Sequence, residues 1–215
     1  MSADDSSQPP TIRCKPNGPY IVSGLATLTN SRGEAIATEE SMALCRCGGS
    51  SNKPFCDGTH AKIGFEDAKL PGRSKDRRRN YIGKAITIHD NRGLCAHAGE
   101  CTERLSSVWR MGVKPWIDPD AANVEAIIET VKACPSGALS YSIADEEHRD
   151  RDRPPAIRLA RNGPYMVTGH IVLDGVAFGD GASREHFTLC RCGASKNKPF
   201  CDGSHYDAKF EDKKN

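Results

Sequence analysis

The sequence predicts an α+β protein, with two copies of a small β-rich unit separated by an α+β insert. Three observations carry this. Residues 12–67 align on 157–212 without a gap, and 28 of the 56 positions are identical, so a unit has been duplicated. Hydrophobic residues make up 37% of the 215 and aromatics only 6%, too thin for one large core and better suited to several small stapled units. Between the copies, "KLPGRSKDRRRN" and "ADEEHRDRDRPP" read as charged, proline-containing linkers that bracket a third unit. The expected layout is a disordered tail at 1–11, a repeat at 12–67, a linker at 68–80, the insert at 81–143, a linker at 144–156 and a repeat at 157–212.

The opening "MSADDSSQPP" is acidic and polar, with neither the apolar region of a signal peptide nor the basic amphipathic pattern of a transit peptide. No apolar run approaches the roughly 18 residues that span a bilayer. A cytoplasmic protein without membrane contact is expected. Net charge is +2, so no global field draws nucleic acid. The run Lys75 to Arg79 reads as solvated linker, because no aromatic platform for nucleic acid accompanies it.

Each repeat starts with an alternating strand, as at Tyr20-Ile21-Val22. Short strands punctuated by glycine follow, as in "GHIVLDGVAFGDG". The insert opens with a strand at "KAITIH" and a cysteine loop, "CAHAGEC". Asp118 and Pro119 offer an N-cap and a first helical residue. Val124, Ile127, Ile128 and Val131 fall at amphipathic helical spacing. Cys134-Pro135 ends the helix, and "ALSYS" is a closing strand.

Nine of ten cysteines lie in three compact groups, and the tenth, Cys14, aligns on Leu159 and reads as a small apolar residue. Without an export signal, metal or iron–sulfur ligation is favoured over disulfides. Each repeat ends in C-x-C-x8-C-x3-H: Cys45, Cys47, Cys56 and His60, then Cys190, Cys192, Cys201 and His205. If "CDGTH" starts a helix with Asp57 at its N-terminus, Cys56 and His60 share one face. Cys45 and Cys47 can reach one metal only from irregular backbone, which Gly48 permits. On spacing alone, iron–sulfur and structural zinc both remain open.

The fuller pattern includes Ser50, Pro54, Asp57, Gly58 and Thr59, repeated as Ser195, Pro199, Asp202, Gly203 and Ser204. It resembles the CDGSH iron–sulfur domain of the mitoNEET family. The resemblance implies one 2Fe–2S cluster per copy, with Cys45 and Cys47 on the inner iron and Cys56 and His60 on the outer. It also implies a pseudo-twofold pair, here formed within one monomeric chain. One imidazole in place of a thiolate raises the potential above the roughly −400 mV of all-cysteine plant-type clusters and adds a protonatable ligand. Lys53 and Lys198 stand inside the loops, either tuning the cluster or simply exposed.

In the insert, Cys95-x5-Cys101 and Cys134-Pro-Ser-Gly-Ala resemble a divergent mono-cluster ferredoxin domain. The position of its usual second cysteine is Ala98. Cys95, Cys101 and Cys134 therefore suit a 3Fe–4S cluster, or a 4Fe–4S cluster with one corner open, and the expected side-chain direction takes His97 away from that corner. No serine–histidine–aspartate set, phosphate loop or nucleotide-binding glycine motif is evident. The expectation is an electron carrier with a redox partner protein, not an enzyme; the alternative is cluster transfer or redox sensing through labile histidine-ligated clusters.

Overall fold

Tyr20-Ile21-Val22 and Tyr165-Met166-Val167 alternate inward and outward, and each forms the middle of a small sheet in a computed structural model that describes residues 8–215. The first repeat supplies β1 (Thr11–Cys14), β2 (Tyr20–Ser23), β3 (Leu28–Thr29), β4 (Ser41–Leu44) and one helical turn, α1 (Thr59–Lys62). The insert supplies β5 (Arg78–Ile82), β6 (Thr87–Asn91), α2 (Glu100–Arg104), α3 (Val124–Lys132), β7 (Leu139–Ile143) and β8 (Glu146–His148). The second repeat supplies β9 (Ala156–Leu159), β10 (Tyr165–Thr168), β11 (Val172–Asp174) and β12 (Phe187–Leu189).

Neither repeat completes its own sheet. One sheet runs β11-β1-β2-β4 and the other β12-β10-β9-β3, so each copy lends a strand to its partner. The exchange is reciprocal: Ile12 pairs with Leu173 in one sheet and Ile157 with Leu28 in the other, both parallel. This covers edges that β1 and β9 would otherwise leave open. It also explains how units with so few apolar residues hold together. A single cluster joins Ile12, Val22 and Leu44 to Ile157, Val167 and Leu189, and each fully buried side chain contributes about 1.5–3 kcal/mol. The pair has a pseudo-twofold relation, with Tyr20 and Tyr165 edge to face at 6.0 Å. Cys14 packs partly buried against this core.

The insert forms an antiparallel sheet, β5-β6-β7-β8, with α3 against β7. Ile88, Trp109, Ile117, Ile127 and Leu139 make a separate core.

Several expectations need correction. The tail expected at 1–11 lies largely outside the described residues, and Thr11 is already in β1, where it pairs with Val172. Both expected linkers contain strand: β5 begins at Arg78 and β8 is a hairpin partner of β7. Two of the charges that suggested solvation are paired, since Arg78 bridges Glu147 at 2.8 Å and Asp76 accepts from Asn91 and Asp180, whereas Lys75, Arg77 and Arg79 are exposed as expected. The helix cap is Asn123, whose side chain accepts from the Ala126 amide, and not Asp118, which instead holds a turn to Asp120. The turn at "CDGTH" is helical only in the first copy; Ser204 to Lys209 closes as turns.

Candidate metal centres

The repeated loops set their ligands in pairs. Cys45 Sγ lies 3.9 Å from Cys47 Sγ, and Cys190 Sγ lies 3.8 Å from Cys192 Sγ. Cys56 Sγ lies 3.3 Å from His60 Nδ1, and Cys201 Sγ lies 3.5 Å from His205 Nδ1. The motif residues shape the loops that hold these pairs. Asp57 accepts from the amides of Ser51 and Thr59, and hydrogen bonding, from the Thr59 side chain foremost, holds its carboxyl below the usual range. Asp202 does the same with Lys196 and Ser204. Ser50 Oγ donates to the Phe55 carbonyl and accepts from the Asn52 amide. Amides of Gly49 and Ala194 point at Cys47 Sγ and Cys192 Sγ, each at 3.4 Å, and favour the thiolates.

Residues missed in the sequence lock the two loops to each other. The Tyr20 hydroxyl donates to the Cys190 carbonyl at 2.9 Å, and the Tyr165 hydroxyl donates to the Cys45 carbonyl at 2.9 Å. Arg46 sits between the Tyr20 and Phe65 rings and bridges Asp67; Arg191 repeats this with Tyr165, Phe210 and Asp212. Lys198 is buried over Phe65 of the other copy, so the exposed-lysine reading fails there, and Lys53 reaches Phe210. A tyrosine or arginine at matching positions of both copies was the only signal available in the sequence. Gly48 and Gly193, at φ +77° and +78°, abut across the pseudo-twofold axis; a Cβ on Gly48 would fall 2.5 Å from the Cys192 carbonyl oxygen.

In the insert, Cys95, Cys101 and Cys134 line one cavity of about 180 Å³ together with Ala98, Asp90 and Trp116. Burial, reinforced by the neighbouring Cys134 and Cys95, pushes the Cys101 thiol up to about 12. With Cys134 buried and Cys95 and Cys101 half-buried, three thiolates in one cavity would repel unless cations sat among them, so the donor set fits a cluster. The His97 amide and the Arg92 guanidinium both face Cys95 Sγ, at 3.3 and 3.4 Å. His97 adopts φ +56°, is exposed, lies against Arg92 and lines the same cavity as the three thiols.

Two sequence families match. Residues 17–61 and 162–206 match the family described as "Iron-binding zinc finger CDGSH type", and residues 81–144 match "Divergent 4Fe-4S mono-cluster". The chain carries two CDGSH-type iron-binding domains that flank a divergent mono-cluster domain. "Uncharacterized protein YjdI" of Escherichia coli K12 is 36% identical over 63 residues, which cover 29% of this chain and 83% of that protein; YjdI of Escherichia coli O157:H7 matches equally. No solved structure matches.

The CDGSH geometry also bears on metal type. Among the described residues, no group of three or more His, Cys, Asp or Glu side chains converges on a single ion. Ligands come as a Cys–Cys pair and a Cys–His pair in each copy, which fits the iron binding of the matched family. The two CDGSH copies differ in exposure. His60 is half-buried, whereas His205 is buried, and a Cβ on Gly203 would fall 3.0 Å from the His97 Cβ of the insert. Burial holds the His205 imidazole below its ordinary pKa, with Asp202 opposing. The three ligand loops thus stand in a row: first CDGSH copy, second copy, insert. Ser183, His186 and Asp150 also meet, but the Ser183 hydroxyl accepts from the Glu185 and His186 amides and holds a buried turn. Among the described residues, no helix is long and apolar enough to cross a membrane.

Proposed function

We propose that the chain is a one-electron carrier, and the observation that carries this reading is the row of three ligand loops. When bound, two 2Fe–2S clusters and a cluster on Cys95, Cys101 and Cys134 supply one-electron storage. The residues here act on position and charge. Gly48 and Gly193 let the Cys47 and Cys192 loops touch, and the Gly203–His97 contact brings the Cys201–His205 loop against the insert. Amide-to-sulfur hydrogen bonds favour the more negative, reduced state. Arg92 adds a positive charge at Cys95. The strand exchange joins both CDGSH copies in one chain, so we assign a monomer.

A groove of about 750 Å³ passes between the insert and the second CDGSH copy. Lys132, Arg151, Arg158 and Arg161 line it, and Cys134 and His205 stand in its wall. This charge favours a redox partner with an acidic face. The test is anaerobic reduction of the iron-loaded chain by chemical reductant, followed spectroscopically. Reversible reduction of all three centres supports the reading; loss of iron during one cycle, or delivery of intact cluster to an apo-acceptor, favours the second reading. That second reading, cluster transfer or redox sensing, draws on one observation: His60 is the more exposed histidine ligand.

A further inference from the structure

We propose that Asp90 is the oxygen ligand of a fourth iron in the insert, an inference that rests on reading Cys95, Cys101 and Cys134 as cluster ligands. Asp90 is the last inward residue of an alternating run, in phase with Ile86 and Ile88. An apolar side chain belongs at such a position. The carboxylate is instead 1% exposed, and neither of its oxygens has a hydrogen-bond partner. It lines the same cavity as the three thiols.

Nearby polar groups are engaged elsewhere. Arg92 faces Cys95 Sγ and stacks on Trp116 at 4.8 Å. His89 is held between Asn80 and Ser142, and the Asn91 side chain serves Arg77, Gly93 and Asp76. The Trp116 indole faces Asp90 and lowers its pKa, yet neither carboxylate oxygen meets hydrogen-bond geometry with it. Burial pushes the Asp90 carboxyl up to about 6, against smaller opposing contributions from Arg92 and Trp116. A buried, unpartnered carboxylate is stable only when neutralised or coordinated. Three thiolates lacking the usual fourth, at Ala98, leave one iron of a cubane without a protein ligand. A carboxylate in the same cavity supplies that bond, and a hard oxygen holds ferrous iron more loosely than sulfur does.

The step balances simply. The oxidised three-iron core takes one electron from dithionite and one ferrous ion, and becomes a four-iron core one charge unit more positive. The ferrous ion bonds to three core sulfides and one Asp90 oxygen, and any carboxyl proton leaves to water.

The full chain, purified with its iron, is treated anaerobically with dithionite and ferrous salt. Excess reagents are then removed and the sample is mildly reoxidised, still without air, before total iron and the paramagnetic signal of the oxidised 3Fe–4S form are measured; oxidised 2Fe–2S clusters are silent. Wild type should gain about one iron per chain and lose the signal. Asp90→Ala should keep the three-iron signal, with ferrous affinity lowered at least about tenfold. Asp90→Cys should take up iron more tightly than wild type, which a purely structural carboxylate would not predict. Asp90→Asn keeps the shape if alanine disturbs folding, and should behave like alanine. If wild type is isolated with four irons, Asp90→Ala should convert it to the three-iron signal. Uptake of the fourth iron by Asp90→Ala with wild-type affinity overturns the assignment. Wild type with neither form, and no sulfide beyond that of the CDGSH sites, overturns the three-thiolate reading as well.

Discussion

Gly48→Ala probes the contact between the two CDGSH copies. Gly48 sits at φ +77°, and an alanine Cβ there would lie 2.5, 2.8 and 3.0 Å from the carbonyl oxygen, carbonyl carbon and Cα of Cys192. The left-handed backbone alone costs an alanine roughly 1–2 kcal/mol. The clash adds about 1–3 kcal/mol, because its neighbour is backbone in a ligand loop that the Tyr20 hydroxyl also holds through Cys190. Gly33→Ala is the control. Its φ is +85°, yet nothing lies within 4 Å of the added Cβ, so only the conformational cost remains. For a chain of this size each kcal/mol moves Tm by about 2–4 °C. Thermal unfolding of the iron-loaded chain should therefore show Gly48→Ala about 2 kcal/mol, or roughly 6 °C, below Gly33→Ala. The visible absorption of both CDGSH sites should change, since displaced Cys192 backbone belongs to the other copy. Equal losses of Tm, with spectra unaltered, would refute the close approach.

Other expectations are equally direct. His60→Cys and His205→Cys should each lower the potential of their own site, read by redox titration, because a thiolate adds negative charge. His60→Cys should gain more resistance to acid bleaching than His205→Cys: burial already lowers the His205 pKa, so its protonation falls at lower pH. Glu147 is exposed, and hydrogen bonds from Arg149, Ser140 and Arg78 outweigh its partial desolvation and hold it at about 2. Its folded pKa is depressed, so its stabilisation is present above about pH 4.3 and lost as pH falls toward 2. Glu147→Gln should flatten unfolding midpoints in that window, and an unchanged acid slope would count against the network. Tyr20→Phe removes donation to the Cys190 and Pro199 carbonyls and should cost about 1–3 kcal/mol by denaturant titration.

The gap-free repeat made the duplication and both ligand sets legible, because identical loops need identical residues at fixed spacing. It did not reveal that β3 and β11 cross to the other copy's sheet; two- and three-residue strands leave little periodicity to read. The linkers misled because charge usually marks solvent, whereas Arg78, Glu147 and Asp76 are paired in the fold. The helix start slipped from Asn123 to Asp118 because Asp-Pro is the stronger local pattern, and only the fold shows which side chain reaches an amide. Asp90 was readable in principle: an acid in phase with Ile86 and Ile88 breaks the alternation. The reciprocal tyrosine clamp was not, since its partners are backbone carbonyls 170 and 120 residues away.

The most direct measurement of the central claim is paramagnetic resonance on the fully reduced, iron-loaded chain. Three centres whose ligand loops touch in sequence should couple magnetically, giving broadened or split signals that simplify when Cys56 and His60 are both replaced by alanine and the first site is lost. Fully independent signals from each centre, or zinc with little sulfide at the CDGSH sites, would contradict the account.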